Sequence, residues 1–258
     1  MNEDINYPES KLNGRTKLAF NWIPEKSNIL LDGGCAYGYG TLFFKEKCKD
    51  IYGIDPNENF INIAKTRYPG IKFFKSGLEN TPFESNFFDV IIIADVLEHV
   101  KDQLQSLSEM FRILKPNGTL ILTVPHKGLF SFMDTDNYIF YLRKYLPKFY
   151  KFIYQLWKGK YPQTRPGYED KHHHYSTKGV INMLNSSKFE NNYTIVKTFK
   201  SGLFMGSITS NLDFILRQFI GNKLTSILLK PLKFLTEIDF WIPYGIFSSS
   251  LALKIIKN

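Results

Sequence analysis

Cysteine is scarce in this chain of 258 residues, with only Cys35 and Cys48. Two cysteines build no disulfide framework, and neither stands in a zinc-type Cys/His spacing. The expectation is a reducing, cytoplasmic setting. Long apolar runs are missing too: no uninterrupted stretch approaches the roughly 18–20 residues of a membrane span. Met1–Ser10 is polar and acidic, so no signal peptide is expected. Acidic residues are outnumbered, 24 against 33 Lys and Arg, which leaves a formal net charge of +9. That excess favours a neutral or negative partner surface: nucleic acid, an anionic bilayer or a phosphorylated substrate. Internal repeats and low-complexity linkers are absent. With 43% hydrophobic residues the chain can bury one large core, and a single domain over residues 1–258 is expected.

The first half alternates short apolar runs with helical patterns. Strands are expected at Ile29–Leu31, Ile51–Ile54, Ile71–Lys75, Asp89–Ala94 and Thr119–Val124. Between them, the pattern gives helices from about Gly38 to Cys48, along the Phe60, Ile63, Ala64 and Arg67 face, and along Leu104, Leu107, Phe111 and Leu114. Lys115-Pro116-Asn117-Gly118 is expected to stop the last of these. This alternation predicts parallel βαβ units in a doubly wound α/β sheet, with ligands beyond the carboxyl ends of the strands. The pattern resumes with a helix from Ser176 to Lys188, a strand near Tyr193–Phe199 and a closing strand at Ser248–Ile256.

Asp32-Gly33-Gly34-Cys35-Ala36-Tyr37-Gly38-Tyr39-Gly40 follows a strand and opens a helix. Small residues at 34, 36 and 38 let backbone and ligand approach closely. The spacing by two does not fit the G-x-G-x-x-G of a dinucleotide site. The segment resembles the first motif of the class I S-adenosylmethionine-dependent methyltransferases, with Ala36 in place of the middle glycine. Asp55 in Tyr52-Gly53-Ile54-Asp55 matches the acid that in that family holds the ribose hydroxyls. Gly77-Leu78-Glu79-Asn80-Thr81-Pro82-Phe83 resembles the segment beside adenine, although Gly77 stands where the family often has aspartate. The runs 88–100 and 114–125 match the fourth and fifth strands with their flanks. The resemblance covers about residues 12–125 closely and 172–200 more loosely. It implies a Rossmann-like sheet of seven strands, mostly parallel with an antiparallel last strand. It also implies S-adenosylmethionine as cofactor, held by Asp32, Gly34, Cys35, Ala36, Gly38, Asp55, Pro56, Leu78, Glu79 and Asp95.

Methyl transfer needs proximity, and a base if the acceptor is a hydroxyl. His99, beyond the fourth strand, and His126, beyond the fifth, are the expected catalytic residues. Asp95, Glu98 and His99 also resemble the E-x-x-E-H metal cluster of ubiquinone-type O-methyltransferases. The same spacing occurs in relatives without metal, and no metal is assigned. In Lys171-His172-His173-His174-Tyr175-Ser176, a turn lining the rim of the site is expected, with His174 a candidate substrate contact.

Residues 127–168 carry thirteen aromatics and eight Lys or Arg against two acids. With residues 201–243, this stretch reads as a helical cap inserted into the domain (cap boundaries about 127–170 and 201–243). Tyr138, Tyr141, Leu142, Tyr145 and Leu146 share a stripe flanked by Arg143, Lys144, Lys148 and Lys151, and Leu212, Ile215, Leu216, Phe219 and Ile220 form another. Aromatic and basic residues so arranged suit an interfacial position on an anionic membrane, although a stripe packed on the sheet has the same pattern. No RNA-binding module is recognisable, which disfavours nucleic acid as partner. The expected function is O-methylation of a small-molecule, lipid-linked, glycan or quinone-like acceptor, peripherally at the inner membrane face. A cofactor-binding regulator without catalysis, or a methyltransferase of RNA or a soluble small molecule, is the alternative.

Overall fold

The computed structural model describes residues 12–129, 131, 135–158, 173–203 and 205–258. Lys171, His172 and the part of the first cap from 159 to 170 lie outside the described residues.

Seven strands form one sheet: β1 (Ile29–Gly33), β2 (Asp50–Asp55), β3 (Lys72–Lys75), β4 (Phe88–Ala94), β5 (Leu114–Pro125), β6 (Tyr193–Ser201) and β7 (Ser250–Lys257). Their order is β3-β2-β1-β4-β5-β7-β6. All neighbours are parallel except β7, which runs antiparallel to both β5 and β6. Helices are α1 (Gly14–Trp22), α2 (Tyr39–Phe43), α3 (Glu58–Arg67), α4 (Gln103–Ile113), α5 (Thr135–Tyr145), α6 (Pro147–Lys158), α7 (Thr177–Asn185), α8 (Met205–Leu228) and α9 (Lys230–Trp241).

Strand alternation divides the core into two layers. Leu30, Val90, Ile92 and Ile121 face a cluster with Leu18 and Trp22 of α1 and Ile61 and Ala64 of α3. Leu31, Ile91, Ile93, Leu120 and Leu122 face the opposite cluster, with Leu107 and Met110 of α4 and Val180 and Leu184 of α7. A side-chain period of two along each strand puts successive apolar residues on opposite faces, so continuous runs such as Val90–Ile93 bury both sides.

Local chemistry sets the helix starts. The Asn57 side chain accepts from the N–H groups of Asn59 and Phe60 at α3, Asp102 from Gln105 at α4, and Ser176 from Gly179 at α7. Several ends differ from the sequence expectation. The helix expected over Gly38–Cys48 is five residues of α-helix followed by a 3-10 turn at Phe44–Glu46. The helix from Ser176 ends at Asn185. β5 starts at Leu114, and its Lys115-Pro116-Asn117-Gly118 stretch is a register irregularity opposite β4, with Asn117 at φ 61°. α8 is interrupted at Gly221, whose φ of 75° and ψ of 172° break the helix.

The carboxyl ends of β1, β2, β4, β5 and β6 lie on one edge of the sheet, and β7 begins there. Both caps leave from that edge, one after β5 and one between β6 and β7. Among the described residues no helix is long and apolar enough to cross a membrane.

Candidate functional site

The loop after β1 is stitched to β2: the N–H groups of Gly34 and Cys35 both donate to the Ile54 carbonyl, at 2.8 and 2.9 Å. Gly34 and Gly38 take φ values of 80° and 76°, and Ala36, in the place of the motif's middle glycine, also takes a positive φ, 45°. Room for a ligand is only part of why glycine stands at 34 and 38. A Cβ on Gly34 would lie 2.3 Å from Val96 Cγ2, and one on Gly38 2.6 Å from Phe73 Cζ. Neighbouring side chains therefore fill the space that the missing Cβ atoms leave. Cys35 is buried, and burial with the nearby Asp32 and Asp55 charges pushes its thiol up, away from nucleophilic character.

Asp32 is buried at the end of β1, and its Oδ2 accepts from Thr41 Oγ1 at 2.5 Å. Burial pushes this carboxyl up to about 6, against the Thr41 bond and with the Asp55 charge adding to it. Asp55, buried at the end of β2, accepts from Asn57 N–H at 2.8 Å through Oδ1 and from Ala36 N–H at 3.1 Å through Oδ2. Burial raises its carboxyl, and these two bonds oppose the shift. Each oxygen has lone-pair capacity left for one more donor. Pro56 is exposed between Asp55 and the α3 cap.

Leu78 is buried against Gly33, where an added Cβ would meet its Cδ2 at 2.9 Å. Glu79 is half-buried, and its Oε2 stands 2.6 Å from where a Cβ on Gly77 would be. The departure at Gly77 is thus filled by a carboxylate from two residues further along.

At the end of β4, Asp95 has a φ of 58° and its N–H donates to the Thr123 carbonyl at 3.2 Å. Its carboxylate pairs with Arg15 of α1, which also donates from Nε to Ser250 Oγ at 2.9 Å. Arg15 escaped the sequence reading because nothing local marks a residue whose partners are 80 and 235 positions away. Beyond Asp95, a 3-10 turn at Leu97–His99 buries Glu98 and exposes His99. Among the described residues no three His, Cys, Asp or Glu side chains come together as a metal-binding group.

His126, at the end of β5, is buried, with Nδ1 3.0 Å from the Ser248 carbonyl. A carbonyl only accepts, so Nδ1 carries the proton and Nε2 keeps its lone pair in the neutral ring. Burial lowers the pKa, the carbonyl bond opposes this, and the charges of Lys200 and His174 lower it further. The backbone is fixed on both sides: His126 N–H donates to Ser249 O at 2.9 Å, and Tyr175 N–H to Pro125 O at 2.8 Å. His126 and Tyr175 form an isolated parallel bridge, which brings the 173–176 turn to the site rim. There His174 is half-buried and His173 exposed.

Residues 31–122 match the methyltransferase domain family. Among curated proteins, an S-adenosylmethionine-dependent methyltransferase assignment from Mycolicibacterium smegmatis is 31% identical over 102 residues, 40% of this chain and 40% of that protein. The ubiquinone/menaquinone biosynthesis C-methyltransferase UbiE of Campylobacter jejuni is 36% identical over 110 residues, 42% of this chain and 46% of that protein. The matched stretch thus spans less than half the length of either relative. In fold, the chain is similar to YcgJ of Bacillus subtilis (TM-score 0.54, 15% identity, 94% and 95% of the two chains). It is also similar to the [4+2]-cyclase SpnF (TM-score 0.57, 14% identity, 94% and 79%). Residues 31–122 form a class I S-adenosylmethionine-dependent methyltransferase domain, and S-adenosylmethionine is the cofactor such a domain takes.

Proposed function

We propose that the protein transfers the methyl group of S-adenosylmethionine to a hydroxyl, or to the ring carbon beside one, on a quinone-like, lipid-linked or glycan acceptor. A cyclase shares the fold, so the reaction has to be argued from the site. The observation that carries it is His126: a buried imidazole with Nδ1 committed to a main-chain carbonyl, on the same sheet edge as Asp32 and Asp55.

When bound, S-adenosylmethionine supplies an electrophilic methyl group on a sulfonium. Asp55, preset by two backbone N–H groups, accepts the ribose hydroxyls through its open lone pairs. Glu79, beside Gly77, offers the acceptor for the adenine amino group. Asp32 would put negative charge near the cationic end, whereas the charge of Asp95 is offset by Arg15 and its carboxylate would serve as a hydrogen-bond acceptor. The loop at Gly34, Cys35, Ala36 and Gly38 would shape the wall between them, with Leu78 behind and Pro56 at the rim. For a hydroxyl acceptor, His126 Nε2 would take the hydroxyl proton as the acceptor oxygen bonds to the methyl carbon and the carbon–sulfur bond breaks, the electron pair leaving with the sulfur as S-adenosylhomocysteine. For an aromatic ring carbon, His126 would first take the proton of the neighbouring hydroxyl, and once the methyl group has reached the carbon that carbon's own hydrogen must leave as a proton to restore the ring. His99, on the exposed side of the same edge, is the second candidate base.

The UbiE relative is named for quinone biosynthesis, and this favours the quinone-like acceptor among the three. Incubating the protein with methyl-labelled cofactor and separated lipid and water-soluble cell extracts tests the proposal. Label entering the lipid fraction is the expected result. Cofactor binding without transfer to either fraction would support the regulatory alternative.

A further inference from the structure

We propose that the elbow between α5 and α6 docks on an anionic lipid bilayer. Tyr145, Leu146, Phe149 and Phe152 follow one another at spacings of one, three and three residues, and each is more than half exposed. Burying none of these four against the protein leaves a contiguous apolar ridge at the surface, the kind of patch that marks an interaction site.

Its charge selects the occupant. Lys144, Lys148 and Lys151 are exposed along the same ridge, and α6 (Pro147–Lys158) contains no Asp or Glu. The Lys144 ammonium lies 5.6 Å from the Phe140 ring centre and 5.5 Å from that of Tyr145. Tyr141 stacks on Tyr145 at 6.0 Å. Aromatic rings rest at headgroup depth while ammonium groups meet anionic phosphates, so this interleaving is complementary to a negatively charged interface. A second copy of the chain would bring the same lysines against one another, and charge repulsion disfavours that occupant.

The elbow belongs to the cap that leaves the carboxyl end of β5, one residue past His126. A bilayer docked there meets the cap whose chain begins at the edge of the sheet that carries the site. The docking stands on the surface alone. That the acceptor enters from the bilayer rests on the methyl-transfer reading.

Vesicle flotation with the full chain tests the docking, using phosphatidylcholine vesicles with and without phosphatidylglycerol. Binding is expected only with phosphatidylglycerol, and it should weaken as salt shortens the Debye length from about 10 Å at 0.1 M to about 3 Å at 1 M. Replacing Lys144, Lys148 and Lys151 by Gln should reduce it up to about fivefold per lysine. A Phe149→Gln, Phe152→Gln variant should also lose vesicle binding, with melting temperature and cofactor affinity by calorimetry unchanged. A wild-type protein that stays off the vesicles at low salt overturns the proposal, as does binding indifferent to lipid charge. So does a phenylalanine variant that changes sedimentation but not flotation, because the ridge then joins two copies. Cofactor affinity, measured separately, tells a failure of docking from a failure of the methyl-transfer reading.

Discussion

Asp32 and Asp55 end neighbouring strands and are both buried, yet they are held differently. Asp55 is braced by two backbone N–H groups, whereas Asp32 has one hydroxyl and burial against it. Asp55→Ala should weaken S-adenosylmethionine binding by one to two orders of magnitude, from the roughly 1.5–3 kcal/mol of a charge-assisted bond. Calorimetry on the folded variant checks this, and an unchanged affinity removes the ribose role. Asp32 titrates near 3.8 when unfolded and at about 6 in the fold, so the native state holds its proton more tightly. The stability this gives is fully present below 3.8 and is lost as pH rises through about 6. Asp32→Asn should therefore stabilise the fold by about 1–3 kcal/mol well above that pH and by little in acid. Thermal melts across pH decide it. Binding of the cationic cofactor to the wild type should move the other way, falling as the carboxylate is protonated below about 6.

His126 has its pKa held below the ordinary histidine value, first by burial, so the basic form persists below pH 6.5. His126→Ala should cost about 10²–10⁴ in turnover with little change in cofactor affinity. The acid limb of the wild-type pH profile should lie below 6.5. His99→Ala is the comparison: if both variants keep full turnover, neither residue is the base.

At the scale of elements, the loop after β1 is shaped by core packing. Gly34→Ala adds a methyl against Val96 at a φ of 80°. The strain of that conformation and the overpacking should together cost about 2–4 kcal/mol. Chemical denaturation should show the loss even without cofactor, and a loss larger than the strain of the positive φ alone marks the clash with Val96.

The strands and this loop were legible in the sequence because their signals are local: apolar runs of strand length, an acid at the strand end, glycines at fixed offsets. The start of the helix at Ser176 was readable for the same reason. Helix ends were less so. Gly38–Cys48 has helical spacing, yet Phe44 is buried and the chain tightens into a 3-10 turn there. Arg15 with Asp95, and His126 with Ser248, could not be read, because each pair is made by tertiary closure over 80 and 122 residues. Glu79 was named, but only the three-dimensional arrangement puts its carboxylate beside Gly77.

At the scale of the molecule, the place of β7 governs when the sheet can close. β1 to β5 pair with strands already made, in the order of the chain or one crossover away. β6 pairs with β7 alone, and β7 separates it from β5. During synthesis, then, Tyr193–Ser201 leaves the ribosome with no edge to join until Ser250–Lys257 has followed. Lys257 fastens that strand, its ammonium donating to Asn86, Phe111 and Leu114 oxygens at 2.9, 2.8 and 2.7 Å. Nascent chains stalled before Ser250 should resist protease over β1–β5 but be cut within 193–201. The half that carries the glycine loop and Asp55 is thus ready first, and the half built from β6 waits for β7 to be translated.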